Sequence, residues 1–405
     1  MKVMLAVTSW CELCEKQEEE LKKVEQEYKD LEFLIIDADE RPDLAIRYTP
    51  QIYPCISIIS ERGIIGGSFG FVESQKIGEM ISNSIALLDG KGKLVKPPTV
   101  EKKLQRFSPD YVFQDILRKC EGYFDWISGG FEREPKFVSP EVLRLLLKFK
   151  DSYHQSMVFI TLDNAIEHLW DNGFYLFSKS IDWKEPYRAK MVDFNASMVS
   201  VLLEAYKVFK DDNYLDYAIK AGEFLKLLTR DDGLVMNGIA FDKLDQRPFL
   251  HVNALALETF YSLKDYEDFS ERAKLLQESL SSAKHHRIDD YRSALYLFDL
   301  AYLLRAYTYV HDNGATSNVF SSLSEYYGNG AYYDVTLEFA TREGIGRFKF
   351  LYDNSVLAEA LLMMGKKEEA EKVVEDILPS YIYYPYFNQA QLALVLGELL
   401  GKFNY

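Results

Sequence analysis

The pattern of apolar and polar positions divides the chain near residue 90. Lys2–Thr8 is a short apolar run rich in Val and Leu and predicts a strand. Cys14–Lys29 is full of good helix formers, with acid–base pairs at helical spacing, and predicts a helix. Leu31–Ile36 predicts a buried strand. Arg41–Tyr48 predicts a short helix opened by Asp39 or Glu40, with Pro42 in its first turn. Tyr53–Ser60 is a third strand, Gly63–Gly67 begins a fourth, and Ser74–Leu88 is an amphipathic helix. The predicted order is β-α-β-α-β-β-α.

Beyond Asp89-Gly90 the period becomes helical throughout. Lys91–Val100, with Pro97 and Pro98 adjacent, reads as a linker. The expected division is residues 1–90, a linker over 91–105, and a second domain over 106–405. A helix pair around Tyr111–Tyr123 and Pro140–Lys150 is joined by the Gly-rich loop of residues 129–137. Three later segments, opening at Asn195, Asn253 and Asn354, each show an apolar helix, a short turn and a more polar helix. Asp289-Asp290 opens another long helix. These are helix hairpins. The unit starts lie much further apart than the roughly 34 residues of a tetratricopeptide-like solenoid, which favours an (α/α) toroid. In a toroid the inner helices run parallel, so their first turns meet around one mouth. Asp193, Asn195, His251, Asn253, Asp289, Asp290, Asp353 and Asn354 would converge there, with Trp183, Tyr291 and Tyr352 beside them. Helix capping accounts for each Asn and Asp alone. It accounts less well for the neighbouring rings and His251, which leave a ligand site as the alternative to capping.

The 405 residues carry a net charge of -16, which argues against nucleic acid and against anionic lipid. Aromatic residues reach 14%, enough to line a sugar-binding cleft, although most rings fall at the helical spacing of packing residues. The apolar run at the N-terminus is too short for a signal peptide, and no run of about 18 apolar residues occurs. A cytoplasmic protein with no membrane partner is expected.

Four cysteines do not make a disulfide framework. Cys11-Glu12-Leu13-Cys14 falls between the first strand and first helix, so Cys11 is the expected nucleophile and Cys14 the resolving thiol. Glu12 and Glu15 oppose thiolate formation, which predicts a reducing poise. A retired redox site and a metal-binding pair are the alternatives, and a zinc site would need two further ligands. Cys55 and Cys120 read as packing residues. The adjacent His285-His286 reads as an exposed turn, and no H-E-x-x-H, P-loop or dinucleotide fingerprint is present. Neither a metal nor a cofactor is expected.

With Trp10 ahead of Cys11 and Pro54 heading the third strand, the first ninety residues resemble thioredoxin. The resemblance implies a cis-proline at Pro54 beside the thiols and a substrate surface that includes Trp10 and Tyr53. Residues 37–43 (DADERPD), 129–137 (GGFEREPKF) and 190–196 (KMVDFNA) add a closer likeness. Together with the C-x-x-C they resemble the thioredoxin-domain family that includes spermatogenesis-associated protein 20 and the bacterial YyaL-type proteins. That family joins a thioredoxin-like domain to an (α/α)6 toroid similar to six-hairpin glycosidases and sugar epimerases. This sequence departs from it where the family's C-H-W-C-H is Cys11-Glu12-Leu13-Cys14-Glu15. It departs again where the family's P-H-F-E-K-M is Pro186-Tyr187-Arg188-Ala189-Lys190-Met191, without the His and Glu.

Three readings of function follow. The first is a thiol–disulfide oxidoreductase, partnered by a thiol-bearing protein or reductase, whose toroid binds carbohydrate or protein through Asp193, Asn195, His251, Asp290 and Asp353. The second is a sugar-active enzyme of glycosidase or epimerase type with an accessory thioredoxin domain, for which paired acids or a His base would be needed. The third is a binding protein without catalysis.

Overall fold

The computed structural model describes residues 1–91, 107–132, 134–266 and 269–403, so the expected linker lies, apart from Lys91, outside the described residues. The chain forms two compact units.

The first unit has the predicted order. β1 (Lys2–Val7), α1 (Cys14–Glu25), β2 (Glu32–Asp37), α2 (Pro42–Tyr48), β3 (Cys55–Ser60), β4 (Gly63–Phe69) and α3 (Ser74–Leu88) follow one another. The sheet order is β2-β1-β3-β4. β1 runs parallel to β2 and antiparallel to β3, which pairs antiparallel with β4. β1 is central, and its residues from Val3 to Val7 are buried on both faces. β2 is an edge strand, and the expected burial fails there: Leu34 and Ile35 are exposed. α1 also ends at Glu25, short of Lys29.

The second unit is a closed ring of hairpins. Its helices are α4 (Pro109–Gly122), α5 (Pro140–Leu147), α6 (Ser152–His168), α7 (Val192–Phe209), α8 (Asp212–Leu227) and α9 (Leu250–Ser262). There follow α10 (Phe269–Leu280), α11 (Leu297–Tyr309), α12 (Asn313–Ser322), a short α13 (Leu337–Glu343), α14 (Leu351–Met363), α15 (Lys367–Ile377) and α16 (Tyr386–Leu399). Six inner helices pack in the cycle α5-α7-α9-α11-α14-α16 and back to α5. Each carries an outer partner: α6 on α5, α8 on α7, α10 on α9, α12 on α11, α15 on α14 and α4 on α16. The division of labour follows the hydropathy. Inner helices such as α9 bury residues on every side, whereas outer ones such as α15 bury only the stripe Ala370, Val373, Val374 and Ile377.

The three asparagines expected at helix starts are not caps. α7, α9 and α14 begin three residues earlier, at Val192, Leu250 and Leu351, which leaves Asn195, Asn253 and Asn354 fully buried in the fourth position. Each clamps the loop ahead of its helix. Asn253 Oδ1 accepts from Val235 N at 2.7 Å, while its Nδ2 donates to Val235 O and Phe249 O, both at 2.9 Å. Asn195 does the same to Phe174 and Met191, and Asn354 to Tyr332 and Phe350. Replacing Asn253 by alanine strands buried backbone groups, so Asn253→Ala is expected to cost about 2–3 kcal/mol in urea unfolding.

The loop of residues 129–137 is a second lock. Lys136 is fully buried, and its Nζ donates to Asp125 Oδ2 at 2.8 Å and Glu132 O at 2.6 Å. Gly130 has φ +72°, and a Cβ there would collide with the Trp183 ring. That indole donates to Ser128 O at 2.7 Å.

Candidate functional site

In the first unit, chain geometry brings the thiols to the end of the central strand. Cys11 lies in the turn between β1 and α1, and Cys14 is the first residue of the helix. They are joined by a disulfide, with Cα atoms 5.5 Å apart. Cys14 is buried and Cys11 partly exposed, as an attacking and a resolving thiol require. The DADERPD segment holds this turn. Asp39 Oδ2 accepts from both Ser9 N and Ser9 Oγ at 3.1 Å, and Asp37 Oδ1 accepts from Asp39 N at 2.8 Å. From the other side, the buried Gln17 amide grips both backbone groups of Val72.

Tyr53–Pro54 is a cis peptide, and the Tyr53 ring meets Trp10 edge-on at 5.8 Å. Burial pushes the Tyr53 phenol up to about 12. Cys55 is buried among Met4, Ala6 and Ile36, and burial pushes its thiol up too, consistent with a packing residue.

In the second unit, a cavity of about 260 Å³ runs along the toroid axis and is lined by all six inner helices. An ion-pair network crosses it. Arg305 donates to both Glu258 carboxylate oxygens at 2.9 Å and to Glu359 Oε2 at 3.0 Å. Arg144 donates to Glu359 Oε1 at 2.7 Å, and Gln391 to Glu359 Oε2 at 2.9 Å. Burial would raise the Glu359 carboxyl, but Arg144 and Arg305 outweigh it and hold it at about 2. Tyr302 and Tyr352 meet hydroxyl to hydroxyl at 3.0 Å, and Tyr352 donates to Glu141 Oε1 at 2.8 Å. Carboxylates, guanidinium groups and phenols around one cavity suit a neutral polyhydroxylated ligand.

The first turns of the inner helices supply the rim. Asp193 and His251 occupy the second position of α7 and α9, and Asp353 the third position of α14. All three are half-buried. Burial, followed by the Asp334 and Asp299 carboxylates, pushes Asp353 up to about 7. His251 sits beside Asp299, 3.6 Å from Nδ1 to Oδ1, and its ring lies 6.3 Å from Tyr302.

Five of the eight polar residues expected at the mouth are placed elsewhere: Asn253 and Asn354 clamp loops as Asn195 does, and Asp289, paired with Arg230 and Arg287, lies with Asp290 ahead of α11. Asn195 is used up in the loop clamp. Asp290 pairs with Arg292 in the segment ahead of α11, which begins only at Leu297. The helix expected from Asp289-Asp290 therefore starts seven residues late. Sequence reasoning missed His286, Asp299 and Asp334. His286 is 1% exposed rather than in an exposed turn, because Leu250 N donates to its carbonyl at 2.8 Å and pins that loop on α9. The acidic first turn of α11 was the available signal for Asp299, hidden by the misplaced helix start.

Comparison with known proteins follows the two units. The family described as Thioredoxin matches residues 3–83. The family described as D-glucuronyl C5-epimerase C-terminus matches residues 170–311. An uncharacterized protein of Caenorhabditis elegans is 23% identical over 276 residues, 58% of this chain, and the match spans 37% of that relative's length. Cellobiose 2-epimerase from Spirochaeta thermophila superposes with TM-score 0.56 at 13% identity, covering 76% of this chain and 99% of that one. A D-mannose isomerase gives 0.53 at 9% identity over 76% and 100%. A GH76 α-mannanase of Bacteroides thetaiotaomicron gives 0.53 at 10% over 74% and 97%. At these identities the likeness is one of fold. No helix among the described residues is long and apolar enough to cross a membrane. The chain thus joins a domain of thioredoxin fold to a six-hairpin toroid that shares the fold of those enzymes, the architecture of the thioredoxin-domain family that its motifs resemble.

Proposed function

We propose that the N-terminal domain is a thiol–disulfide oxidoreductase and that the toroid binds a carbohydrate in its axial cavity. The observation that carries the redox reading is the Cys11–Cys14 disulfide, with one sulfur partly exposed and the other buried at the start of α1. In the reducing direction the Cys11 thiolate attacks a substrate disulfide and releases one substrate thiolate. Cys14, deprotonated, then attacks Cys11 in the mixed disulfide and releases the second. Two electrons pass to the substrate, whose two thiolates take up the two protons, and a thiol reductant restores the pair. Trp10 and Tyr53, beside cis-Pro54, would face the substrate. The carbohydrate reading rests on the polar cavity and on the fold shared with sugar-active enzymes.

A redox titration by thiol alkylation, paired with disulfide-reductase turnover, tests the first part. The expected result is two-electron cycling with a potential at or below that of glutathione, and turnover reduced to background in Cys11→Ser. Thiols that never cycle, or turnover indifferent to the substitution, would retire it.

The match of residues 170–311 to an epimerase family favours a second reading, in which the toroid is itself a sugar-active enzyme and the thioredoxin domain is accessory. His251 would then serve as base and Asp353, with its raised proton affinity, as acid. Loss of the family's His and Glu ahead of Lys190 counts against it.

A further inference from the structure

His251, His286 and Asp299 come from three separate stretches of the toroid, yet one ligand atom from each lies within 4.8 Å of the other two. The cluster differs from an ordinary buried ion pair. His286 Nδ1 lies 3.0 and 3.1 Å from the two oxygens of Asp299, which a simple His–carboxylate pair would explain. His251 is not explained that way. Its Nδ1 is buried without a hydrogen-bond partner, 3.6 Å from Asp299 Oδ1. That separation is too long for a hydrogen bond. It is close to the roughly 3.3 Å between two donor atoms that share a tetrahedral ion at bonds of about 2.0–2.1 Å.

The surroundings are built to hold these groups still. Asp299 is fully buried, and its Oδ2 also accepts from Tyr296 N at 3.2 Å, which orients the carboxylate. The His286 segment is fixed through Leu250 N to His286 O and through His286 N to Ala294 O. The two imidazoles lie parallel at 5.6 Å, and Phe298 packs edge-on against both. His251 is the most accessible member, with 21% of its side chain exposed, although its Nδ1, facing Asp299, is buried.

We propose that His251, His286 and Asp299 form a three-ligand binding site for a borderline divalent cation, zinc foremost, with the fourth coordination position left to a non-protein ligand. Two imidazoles and a carboxylate are a donor set for zinc, and three protein ligands with an open position mark a site able to bind and polarise an oxygen ligand. Calcium and magnesium prefer all-oxygen shells and fit poorly. The inference goes beyond the redox and carbohydrate readings and depends on neither.

The test is calorimetric titration of the chelator-stripped full chain with Zn²⁺ alone. The Cys11–Cys14 pair is kept oxidised so that its thiols cannot compete. One ion per chain is expected, with affinity falling at least about a hundredfold in His251→Ala, as loss of a direct ligand should exceed typical outer-shell effects. Circular dichroism checks that the variant is folded. Co²⁺ titrated into the wild-type chain gives a second readout that needs no variant. Intense visible bands of four- or five-coordinate cobalt without thiolate charge transfer are expected. Absence of saturable binding, undiminished affinity in folded His251→Ala, or a weak octahedral cobalt spectrum would each overturn the proposal. Thiol turnover is a separate measurement, so either result leaves the redox reading to stand or fall alone.

Discussion

Lys136→Ala is expected to lower the stability of the toroid by about 3–5 kcal/mol, the range for removing one partner of a buried ion pair. The ammonium group is fully buried, with Asp125 Oδ2 at 2.8 Å and the Glu132 carbonyl at 2.6 Å. Asp125 also accepts from Ile127 N and Ser128 N, so it cannot swing out to solvent without undoing the loop that it organises. Burial alone would raise the Asp125 carboxyl, but Lys136 and those two amides together hold it below the ordinary range. Its contribution is therefore complete above the ordinary aspartate range and fades as pH falls through the lowered value. Urea unfolding of Lys136→Ala, Asp125→Ala and the double variant checks this. The double variant should cost clearly less than the sum of the singles. Additive costs would mean that the two side chains act separately.

Arg305→Met is expected to cost a similar amount, about 3–5 kcal/mol near neutral pH, for a different reason. The methionine fills most of the volume but leaves Glu258 without its bidentate partner and Glu359 with Arg144 as its one remaining cationic partner beside the Gln391 amide. The pH dependence separates this charge effect from packing. The Glu359 carboxyl is lowered from an ordinary 4.5 to about 2. Its stabilising contribution is thus fully present above about 4.5 and is lost as pH falls through 2. The gap between wild type and Arg305→Met should be constant at higher pH and close progressively across that window. A gap that does not change with pH would assign the loss to shape instead.

Much of the fold was legible in the sequence, and for local reasons. The C-x-x-C between a Val-rich run and a strong helix, with Pro54 ahead of the next strand, identifies the first unit because each signal is local. The hairpins were legible because α9 and α14 are apolar all round while α10 and α15 are not. Helix starts were misread because an Asn three residues inside a helix carries the same composition as a cap. Only the clamp on Val235 or Tyr332, a contact set by tertiary structure, tells them apart. The same error displaced α11, where Asp289-Asp290 imitates a helix opening but leads only into a turn, and the helix begins at Leu297. His286 and Asp299 could not be joined in advance, since their meeting depends on where the loop ahead of α11 folds back onto α9. The axial network was equally hidden: Arg144, Glu258, Arg305 and Glu359 each look like surface charges on an amphipathic helix until the ring closes around them.

Closure of that ring has a further consequence. The outer helix α4 packs on the last inner helix α16, and Tyr381 donates to Asp115 across 266 residues of sequence. A row of stacked repeats can lose one end and keep the rest, because each unit answers only to its neighbours. Here every inner helix has two inner neighbours, and none is terminal. Trimming α16 would uncover both α5 and α14, so the damage would spread in both directions. The toroid should therefore melt as a single cooperative body. The outer helix α4, early in the sequence, packs on α16, more than 260 residues later, so the ring is closed only when both are present.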